Sequence, residues 1–216
     1  MQAIILAGGR GGRLRPLTDH TPKALIKIRD KELLRHTLDN LPDEIDQVFI
    51  VVKHLKEQII EWTKSLSTHL DIKTIEQVKD LGTFGALLSC QELLKENFLV
   101  LNADDMLEKE DLKQLIQNPP SMLVYLHQIQ NPYGVVKIHK GKAIKVIEKQ
   151  IWRSWVSTGS FCLDQRIFEM NPPPNQSGEL VLATAVSQFI RKYPILPIPT
   201  KSWKTINTLE DFQRIS

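Results

Sequence analysis

The 216-residue sequence is poor in the features that mark secreted, membrane-spanning and disordered proteins. It has two cysteines, Cys90 and Cys162, whose apolar surroundings suit core positions better than a disulfide framework. The apolar runs, such as those at 3–7 and 98–101, are far shorter than a bilayer span. The N-terminus shows neither the basic region nor the cleavage site of a secretory signal. With 42% hydrophobic and 25% charged residues, we expect a soluble, globular protein of the cytoplasm.

The first 31 residues contain no aromatic side chain and concentrate the positive charge of the chain. They hold seven Lys or Arg against two Asp, although the net charge of the whole chain is only +3. A solvated basic loop is one interpretation, and Arg15, Lys27 and Arg29 read as surface charges. A nucleic-acid surface would more often spread its basic residues along a helix with aromatics nearby. Because glycines stand among these charges directly after a strand, a local anion site is the better interpretation.

Three common ligand-binding motifs are missing. The six histidines are scattered without ligand spacing, which leaves a zinc site unsupported. The segment Gly9–Leu14 lacks the third glycine of a dinucleotide fingerprint, and Gly141–Ala143 lacks the Ser or Thr of a Walker loop. What remains is the glycine-rich loop Gly8–Leu14. The glycines of this loop have no Cβ atom, so backbone N–H groups could approach phosphate oxygens closely.

Apolar segments of strand length alternate with segments of helical period, the pattern of βαβ units. In the first half this predicts strands over 2–7, 47–53, 71–76 and 97–101, with helices over 31–41, 55–66 and 83–95. In the second half it predicts two strands within 134–149, a strand over 157–163, a helix over 179–192, a strand near 195–198 and a helix from 209. We therefore expect a Rossmann-like α/β fold: a mixed, mostly parallel sheet flanked by helices, with an antiparallel excursion in the second half.

The glycine loop belongs to an extended pattern that continues along nearly the whole chain. Its segments are Leu6–Thr18, Thr21–Leu25, Leu81–Ala86, Leu101–Asp104, Tyr133–Val136, Glu148–Lys149, Thr158–Gly159 and the closing residues 203–211. In order and spacing this pattern closely resembles the signature of the sugar-1-phosphate nucleotidyltransferases, or sugar-nucleotide pyrophosphorylases. Among them it is most similar to short bacterial forms such as the heptose- and mannose-1-phosphate guanylyltransferases.

The resemblance implies transfer of a nucleoside monophosphate from a nucleoside triphosphate to a sugar 1-phosphate, with release of pyrophosphate. The attacking phosphate oxygen is already anionic near neutral pH, so positioning and electrostatic stabilisation should provide most of the catalysis. The expected partners are the two substrates, with Mg²⁺ as cofactor and neither nucleic acid nor membrane; a homo-oligomer is left open. We expect one domain, 1–216, with a nucleotide-binding half (1–120) and a sugar-phosphate-binding half (121–216).

The same resemblance implies a role for individual side chains. Arg13 and Lys23 would be catalytic, holding the triphosphate and the reacting phosphates, and Asp104 would be the Mg²⁺ ligand. The nucleotide-binding set is Leu6, Ala7, Gly8, Gly9, Gly11, Gly12, Gln77, Gly82 and Thr83. The sugar-phosphate set is Gly134, Glu148, Lys149 and Thr158. Without the resemblance, Glu148 and Lys149 read as the end of a hairpin. Asp105 reads as a capping or turn residue.

Two departures from the family pattern bear on activity. Gly12 stands where the family usually has Thr or Ser, and Thr205 stands where it has a second metal-binding Asp. The loss of that carboxylate, with Lys204 beside it, predicts weaker metal affinity. Two other functions therefore stay open: transfer of CMP to a non-sugar phosphate such as phosphocholine, and a catalytically weak relative that binds nucleotide or sugar nucleotide as a regulator.

Overall fold

The structure is a computed structural model that describes residues 1–77, 81–130, 135–147 and 151–215. Its strands are β1 (Gln2–Leu6), β2 (Lys27–Ile28), β3 (Lys31–Glu32), β4 (Gln47–Val52), β5 (Asp71–Glu76), β6 (Asn97–Asn102), β7 (Asp105–Leu107), β8 (Ser121–Gln130), β9 (Val135–His139), β10 (Lys142–Ile147), β11 (Ile151–Asp164), β12 (Leu196–Thr200) and β13 (Trp203–Thr205). Its α-helices are α1 (Leu33–Asp39), α2 (Lys56–Lys64), α3 (Gly82–Leu88), α4 (Lys109–Gln117), α5 (Leu182–Lys192) and α6 (Leu209–Ile215).

Seven of the described strands form one mixed sheet in the order β12-β8-β11-β6-β1-β4-β5. The pairs β6/β1, β1/β4, β4/β5 and β12/β8 are parallel, and β11 runs antiparallel to both β6 and β8. The predicted mixed, mostly parallel sheet is thus confirmed. Because β6, β1, β4 and β5 are parallel neighbours, the loops that follow them meet at one edge of the sheet.

Both faces of the sheet are covered, which explains why its central strands are almost continuously apolar. Alternate residues of β1 and β4, such as Ile5 and Ile50, belong to one apolar core, packed with side chains of α1, α2 and α4. Ile4 and Phe49 belong to the opposite core, packed with side chains of α3 and α5. A third, small core of Leu14, Ile26, Ile28, Leu33 and Ile206 lies beside the glycine loop.

Tertiary packing shifts several predicted element boundaries. The helix predicted over 83–95 ends at Leu88, and the chain then turns so that Cys90 and Leu94 are both buried in the core. The helix predicted from Lys31 begins at Leu33 instead. A β2/β3 hairpin precedes it, whose turn residues Arg29 and Asp30 have positive φ.

The predicted strand over 157–163 is the inner part of the 14-residue β11. The helix predicted from Glu179 begins at Leu182.

Two long elements, α4 and β8, have no counterpart in the sequence prediction. The predicted pair of strands is present as β9 and β10, joined at Lys140 and Gly141.

The cysteines and the helices agree with the compositional expectations. Cys90 and Cys162 are free and buried, and burial raises the pKa of each thiol to about 12. Both are therefore unreactive core side chains, as predicted. None of the helices in the described ranges is long and apolar enough to cross a membrane.

Candidate active site

A cleft of about 780 Å³ opens where the loops after β1, β4, β5 and β6 meet. The predicted site residues that line it are Leu6, Ala7, Gly8, Gly9, Gly11, Gly12, Arg13, Lys23, Gln77, Gly82, Thr83, Asp104 and Thr158. Gly134, Glu148 and Lys149, predicted to bind the sugar phosphate, lie outside the described residues. The structure therefore brings together every predicted site residue that it describes.

The glycine loop is shaped by one residue that has to be glycine. Gly11 has a φ of +63°, and a Cβ there would lie 2.7 Å from Cγ2 of Thr18. The Thr18 hydroxyl donates to the Gly11 carbonyl oxygen at 2.9 Å, and the Leu14 amide donates to the same oxygen at 2.8 Å. Gly9 and Gly12 have nothing within 4 Å of the place a Cβ would take. The loop is thus fixed at Gly11 and open at Gly9 and Gly12, where an anion could approach.

The end of the cleft next to β5 is built from Gln77 and the start of α3. Gln77 is buried, and its Nε2 donates to the Gly82 carbonyl oxygen at 3.0 Å. The Thr83 hydroxyl accepts a hydrogen bond from the Leu182 amide at 2.9 Å. The Thr83 hydroxyl therefore has a partner within the fold already, since it fastens α3 to the start of α5.

Four polar side chains converge at the mouth of the glycine loop. Lys23 Nζ donates to Asp104 Oδ2 and, over 3.0 Å, to Asn207 Oδ1. Arg13 donates to the same Asn207 oxygen at 3.4 Å. Two cations separated by only 10 residues in sequence thus share one neutral acceptor beside one carboxylate. Such an arrangement leaves net positive charge facing the cleft.

Asp105 differs from the turn residue that the sequence suggested. It is the first residue of β7, only 4% exposed, and accepts hydrogen bonds from Trp203 Nε1 at 3.0 Å and Asn102 Nδ2 at 2.9 Å. Burial, reinforced by the neighbouring Asp104 charge, raises the pKa of Asp105 to about 7. In the β7/β13 pair it lies directly opposite Thr205. A buried carboxyl group therefore stands across the ladder from the position at which the family has its second Asp.

The other end of the cleft is formed by β11 next to the end of β6. Gly159 has a φ of +83°, and a Cβ there would lie 2.5 Å from Asn102 Nδ2. The neighbouring Thr158 is 3% exposed, and its hydroxyl donates to the Leu123 carbonyl oxygen at 3.3 Å. The Thr158 hydroxyl is thus used inside the sheet, so any contact of Thr158 with a ligand needs other atoms or a rearrangement.

Metal-binding capacity rests on few groups. In the part of the chain that the structure describes, no cluster of three or more His, Cys, Asp or Glu side chains could hold a metal ion. Asp104 is the partly exposed carboxylate at the end of β6, and the hydroxyl of Thr205 and the amide of Asn207 line the same cleft. One carboxylate with neutral oxygens nearby suits Mg²⁺, which usually keeps several water ligands.

Comparison with known proteins decides the family. The family model described as nucleotidyl transferase matches residues 2–216. The chain belongs to this nucleotidyl transferase family. Its relatives confirm the resemblance to the sugar-1-phosphate nucleotidyltransferases. The bifunctional protein GlmU of Methanocaldococcus jannaschii is 32% identical over 199 residues, which are 89% of this chain and 47% of GlmU. The UTP–glucose-1-phosphate uridylyltransferase AglF of Haloferax volcanii is 28% identical over 204 residues, 88% of this chain and 84% of AglF.

The similarity covers only part of some relatives, and one solved structure shows that it extends to the fold. The chain spans about half the length of GlmU relatives such as those of Methanocaldococcus jannaschii and Methanococcus maripaludis. A solved chain from Bacillus anthracis, described as a glucose-1-phosphate thymidylyltransferase, has a TM-score of 0.76 at 22% identity. The match covers 100% of the present chain and 93% of the solved chain. At that identity the match shows only that the present chain has the same fold as the solved one.

Sequence reasoning missed two polar residues at the centre of the cleft. Asn207 follows the departure at Thr205 by two positions, but only the structure shows its oxygen between Arg13 and Lys23. Asp105 was discounted because an Asp after a strand so often caps a turn. The signal that could have found Asp105 is the carboxylate missing at Thr205, because residues 105 and 205 prove to lie opposite each other on adjacent strands.

Proposed function

We propose that this nucleotidyltransferase transfers a nucleoside monophosphate from a nucleoside triphosphate to a sugar 1-phosphate, releasing pyrophosphate and forming a nucleoside diphosphate sugar. The observation that carries the proposal is the meeting of Arg13 and Lys23 on one acceptor, beside Asp104 and at the open glycine loop. The names of AglF and of the Bacillus anthracis protein both refer to glucose 1-phosphate, which supports the sugar-phosphate half of the proposal.

The reaction replaces one phosphoanhydride bond with another. An oxygen of the sugar phosphate forms a bond to the α-phosphorus, and the bond from that phosphorus to the pyrophosphate oxygen breaks with its electron pair. Negative charge therefore gathers on the leaving pyrophosphate. The planar guanidinium of Arg13 can donate two parallel hydrogen bonds to phosphate oxygens, and the Lys23 ammonium adds a second positive charge. Cations held in place before reaction are the main catalytic contribution that this site can make.

Lys23 also forms an ion pair before substrate binds. In the free protein its ammonium is paired with the Asp104 carboxylate, so neither charge stands alone in the cleft. We propose that Asp104 would hold Mg²⁺, and that the Lys23 ammonium, no longer paired with Asp104, would donate to the phosphates. The ion, when bound, supplies charge neutralisation of the triphosphate oxygens. The donor set described above fits such an ion.

The two ends of the cleft suggest how the substrates lie. The end at Gln77 and Gly82 takes the nucleobase, with the loop at Gly9 and Gly12 along the phosphates. The sugar phosphate then lies toward Thr158, while Gly134, Glu148 and Lys149 stay contacts predicted from the sequence alone. Because the Thr83 and Thr158 hydroxyls already have partners within the fold, we expect these two residues to act mainly through their backbone and the shape of the wall.

Pyrophosphate release measured over a matrix of nucleoside triphosphates and sugar 1-phosphates tests the proposal. We expect release with at least one pair, dependent on both substrates and on Mg²⁺. Lys23→Ala should lower the rate about 100-fold or more because a charge that meets the transition state is lost. Lys27→Ala is the matched control, since Lys27 is exposed and lies outside the cleft. Equal rates in the two variants would contradict the placement of the reaction at Lys23.

A regulatory, weakly catalytic protein is the second candidate, and Thr205 is the observation that favours it. It would bind nucleoside triphosphate or sugar nucleotide with an affinity that depends on Arg13, yet release no pyrophosphate with any pair. Isothermal titration with each nucleotide, run beside the same matrix, separates the two functions.

A further inference from the structure

Glu179 is a half-buried residue that lines the cleft close to the start of α3, although it was not among the predicted site residues. Gly82 has a φ of +70°, and a Cβ there would lie 2.8 Å from Cβ of Glu179 and 2.9 Å from the Leu180 carbonyl oxygen. The Leu180 amide donates to the Leu81 carbonyl oxygen, and the Phe84 amide donates to the Leu180 carbonyl oxygen, both at 2.8 Å. The backbone at Glu179 is therefore held against this end of the cleft, and only glycine at position 82 permits the close approach.

A turn that begins at Asn175 orients the Glu179 side chain. Asn175 Oδ1 accepts hydrogen bonds from the amides of Ser177 and Glu179, both at 2.9 Å. The Asn175 amide donates to the Glu179 carbonyl oxygen at 2.9 Å, and Asn175 Nδ2 donates to Glu179 Oε2 at 3.0 Å. An ionised carboxylate has about four acceptor positions, so Glu179 can accept further hydrogen bonds from a ligand.

Gln77 and Lys53 complete the polar groups at this end of the cleft in the part of the chain that the structure describes. Gln77 Nε2 donates to the Gly82 carbonyl oxygen at 3.0 Å, and its Oε1 lies 3.5 Å from the place that a Cβ of Gly8 would take. Gly8 lines the cleft, so the oxygen of Gln77 is the atom on the cleft side. Lys53 lines the cleft too, with its Cβ 3.2 Å from the same place beside Gly8. Two acceptors, one of them a carboxylate, thus meet one cationic donor.

Nucleobases differ in how many donors they could offer to such a set. Guanine presents N1–H and the N2 amino group side by side, next to the O6 acceptor. Uracil and thymine present one N–H between two carbonyl oxygens, and adenine and cytosine present one amino group beside a bare ring nitrogen. A carboxylate that faces a carbonyl oxygen or a bare ring nitrogen is repelled, because both groups offer only lone pairs. Guanine therefore matches two acceptors and a cationic donor better than the other bases do.

We propose that Glu179 is a specificity-determining residue whose carboxylate selects guanine nucleotides by accepting from the N–H groups of the base. The inference rests on the proposed function, which places the nucleobase at this end of the cleft. It adds the class of nucleotide that this site takes, a guanosine triphosphate. The observation that carries it is the oriented carboxylate of Glu179 at the same end of the cleft as the Gln77 oxygen.

Calorimetric titration with guanosine triphosphate (GTP) and inosine triphosphate (ITP), without sugar phosphate, tests the inference. ITP differs from GTP only by the missing 2-amino group. We expect wild type to bind GTP about 10-fold more tightly than ITP, as for the loss of one hydrogen bond to a charged group. In Glu179→Ala this ratio should fall below about 3-fold, because the acceptor is gone. Glu179→Gln, which keeps the shape and one acceptor oxygen, should have an intermediate ratio.

Glu169→Ala is the matched control for these titrations. Glu169 is exposed and lies outside the cleft, and its carboxylate likewise accepts from one neutral group, the Tyr193 hydroxyl at 3.1 Å. This variant should keep the wild-type ratio of GTP to ITP affinity. A merely structural role of Glu179 would weaken the binding of both nucleotides equally and leave the ratio unchanged, and thermal unfolding checks that each variant is folded.

The outcomes separate the inference from the proposed reaction. An unchanged ratio in Glu179→Ala would overturn the inference, and so would a wild type that binds neither nucleotide or binds ATP, CTP or UTP more tightly than GTP. A wild type that prefers GTP through Glu179, yet releases pyrophosphate with no sugar 1-phosphate, would overturn the proposed transfer and support the selection of guanine by this residue.

Discussion

At the scale of single residues, the cleft combines exposed charges with one buried carboxyl group, Asp105. Its raised pKa, about 7 against an ordinary 3.8, comes from burial and from the Asp104 charge. Hydrogen bonds from Trp203 and Asn102 oppose this rise but do not cancel it. The group thus changes charge near neutral pH, inside a cleft for which we propose highly charged substrates.

We predict that Asp105 makes the protein less stable as pH rises. Between pH about 4 and 7 the folded state keeps a proton on Asp105 that the unfolded chain has lost, so the free energy of unfolding falls with rising pH. In Asp105→Asn this decline should be reduced, as measured by urea unfolding at several pH values without divalent metal.

Asp43→Asn serves as the control for that pH series. Lys109 lowers the pKa of Asp43, so the stability contributed by Asp43 is lost only as pH falls below about 4, and its removal should leave the slope between pH 4 and 7 nearly unchanged. If wild type and Asp105→Asn have parallel curves between pH 4 and 7, Asp105 is not protonated in the folded protein.

Asp104 carries a separate prediction about metal. Asp104→Asn should abolish Mg²⁺-dependent pyrophosphate release, because it removes the partly exposed carboxylate at the end of β6. The fold should persist, since Asp104 lies at a strand end and outside the apolar cores. Circular dichroism checks the fold and a Mg²⁺ titration checks the activity. A folded variant with the wild-type Mg²⁺ midpoint would place the metal at another residue, with Asp105 the first to examine.

At the scale of elements, the glycine loop shows how one backbone conformation positions several groups. Gly11 turns the chain with positive φ, which directs Leu14 into the small core and leaves Gly9 and Gly12 facing the cleft. The Thr18 side chain is buried, and its hydroxyl donates a hydrogen bond to the Gly11 carbonyl oxygen, which holds the two ends of the loop together. The loop is therefore organised before any nucleotide arrives.

Gly11→Ala should destabilise the protein by more than positive φ alone explains. A left-handed alanine costs about 1 kcal/mol, and here its Cβ would also lie 2.7 Å from the Thr18 side chain. Gly141→Ala is the matched control, because Gly141 has a similar φ of +75° but nothing within 4 Å of the added atom. Urea unfolding should show the larger loss for Gly11→Ala. Equal losses in the two variants would mean that Thr18 moves aside at no cost.

At the scale of the whole molecule, the sequence predicted the parts that follow from short-range pattern. The predicted bounds of β1, β4 and β6 agree with the structure within one residue at each end because these central strands are apolar almost throughout. The predicted bounds of the edge strand β5 agree as well. The long β8 was missed because its residues from Tyr125 outward mix polar and apolar side chains. The end of α3 was misplaced because burial of Cys90 and Leu94 overrode helical periodicity.

Some residues of the candidate site follow from local sequence pattern, and others do not. Arg13, Lys23, Gln77 and Asp104 could be found because each follows a strand or a glycine loop in a long motif. Asn207 could not, since it meets Lys23 across 184 residues of chain through the packing of Ile206. Long-range contacts of this kind follow from the folded topology, which local sequence pattern does not encode.

We have proposed that the cleft around Arg13 transfers a nucleotidyl group between two phosphates. A nucleoside triphosphate labelled at the α-phosphate follows this transfer in wild type, in Arg13→Ala and in the control Arg15→Ala, whose arginine is exposed and lies outside the cleft. We predict that wild type and Arg15→Ala move the label into a product that forms only with the sugar 1-phosphate, with one pyrophosphate released per label, and that Arg13→Ala is about 100-fold slower or worse. Label found only in free nucleoside monophosphate, or equal transfer rates in Arg13→Ala and Arg15→Ala, would contradict the account.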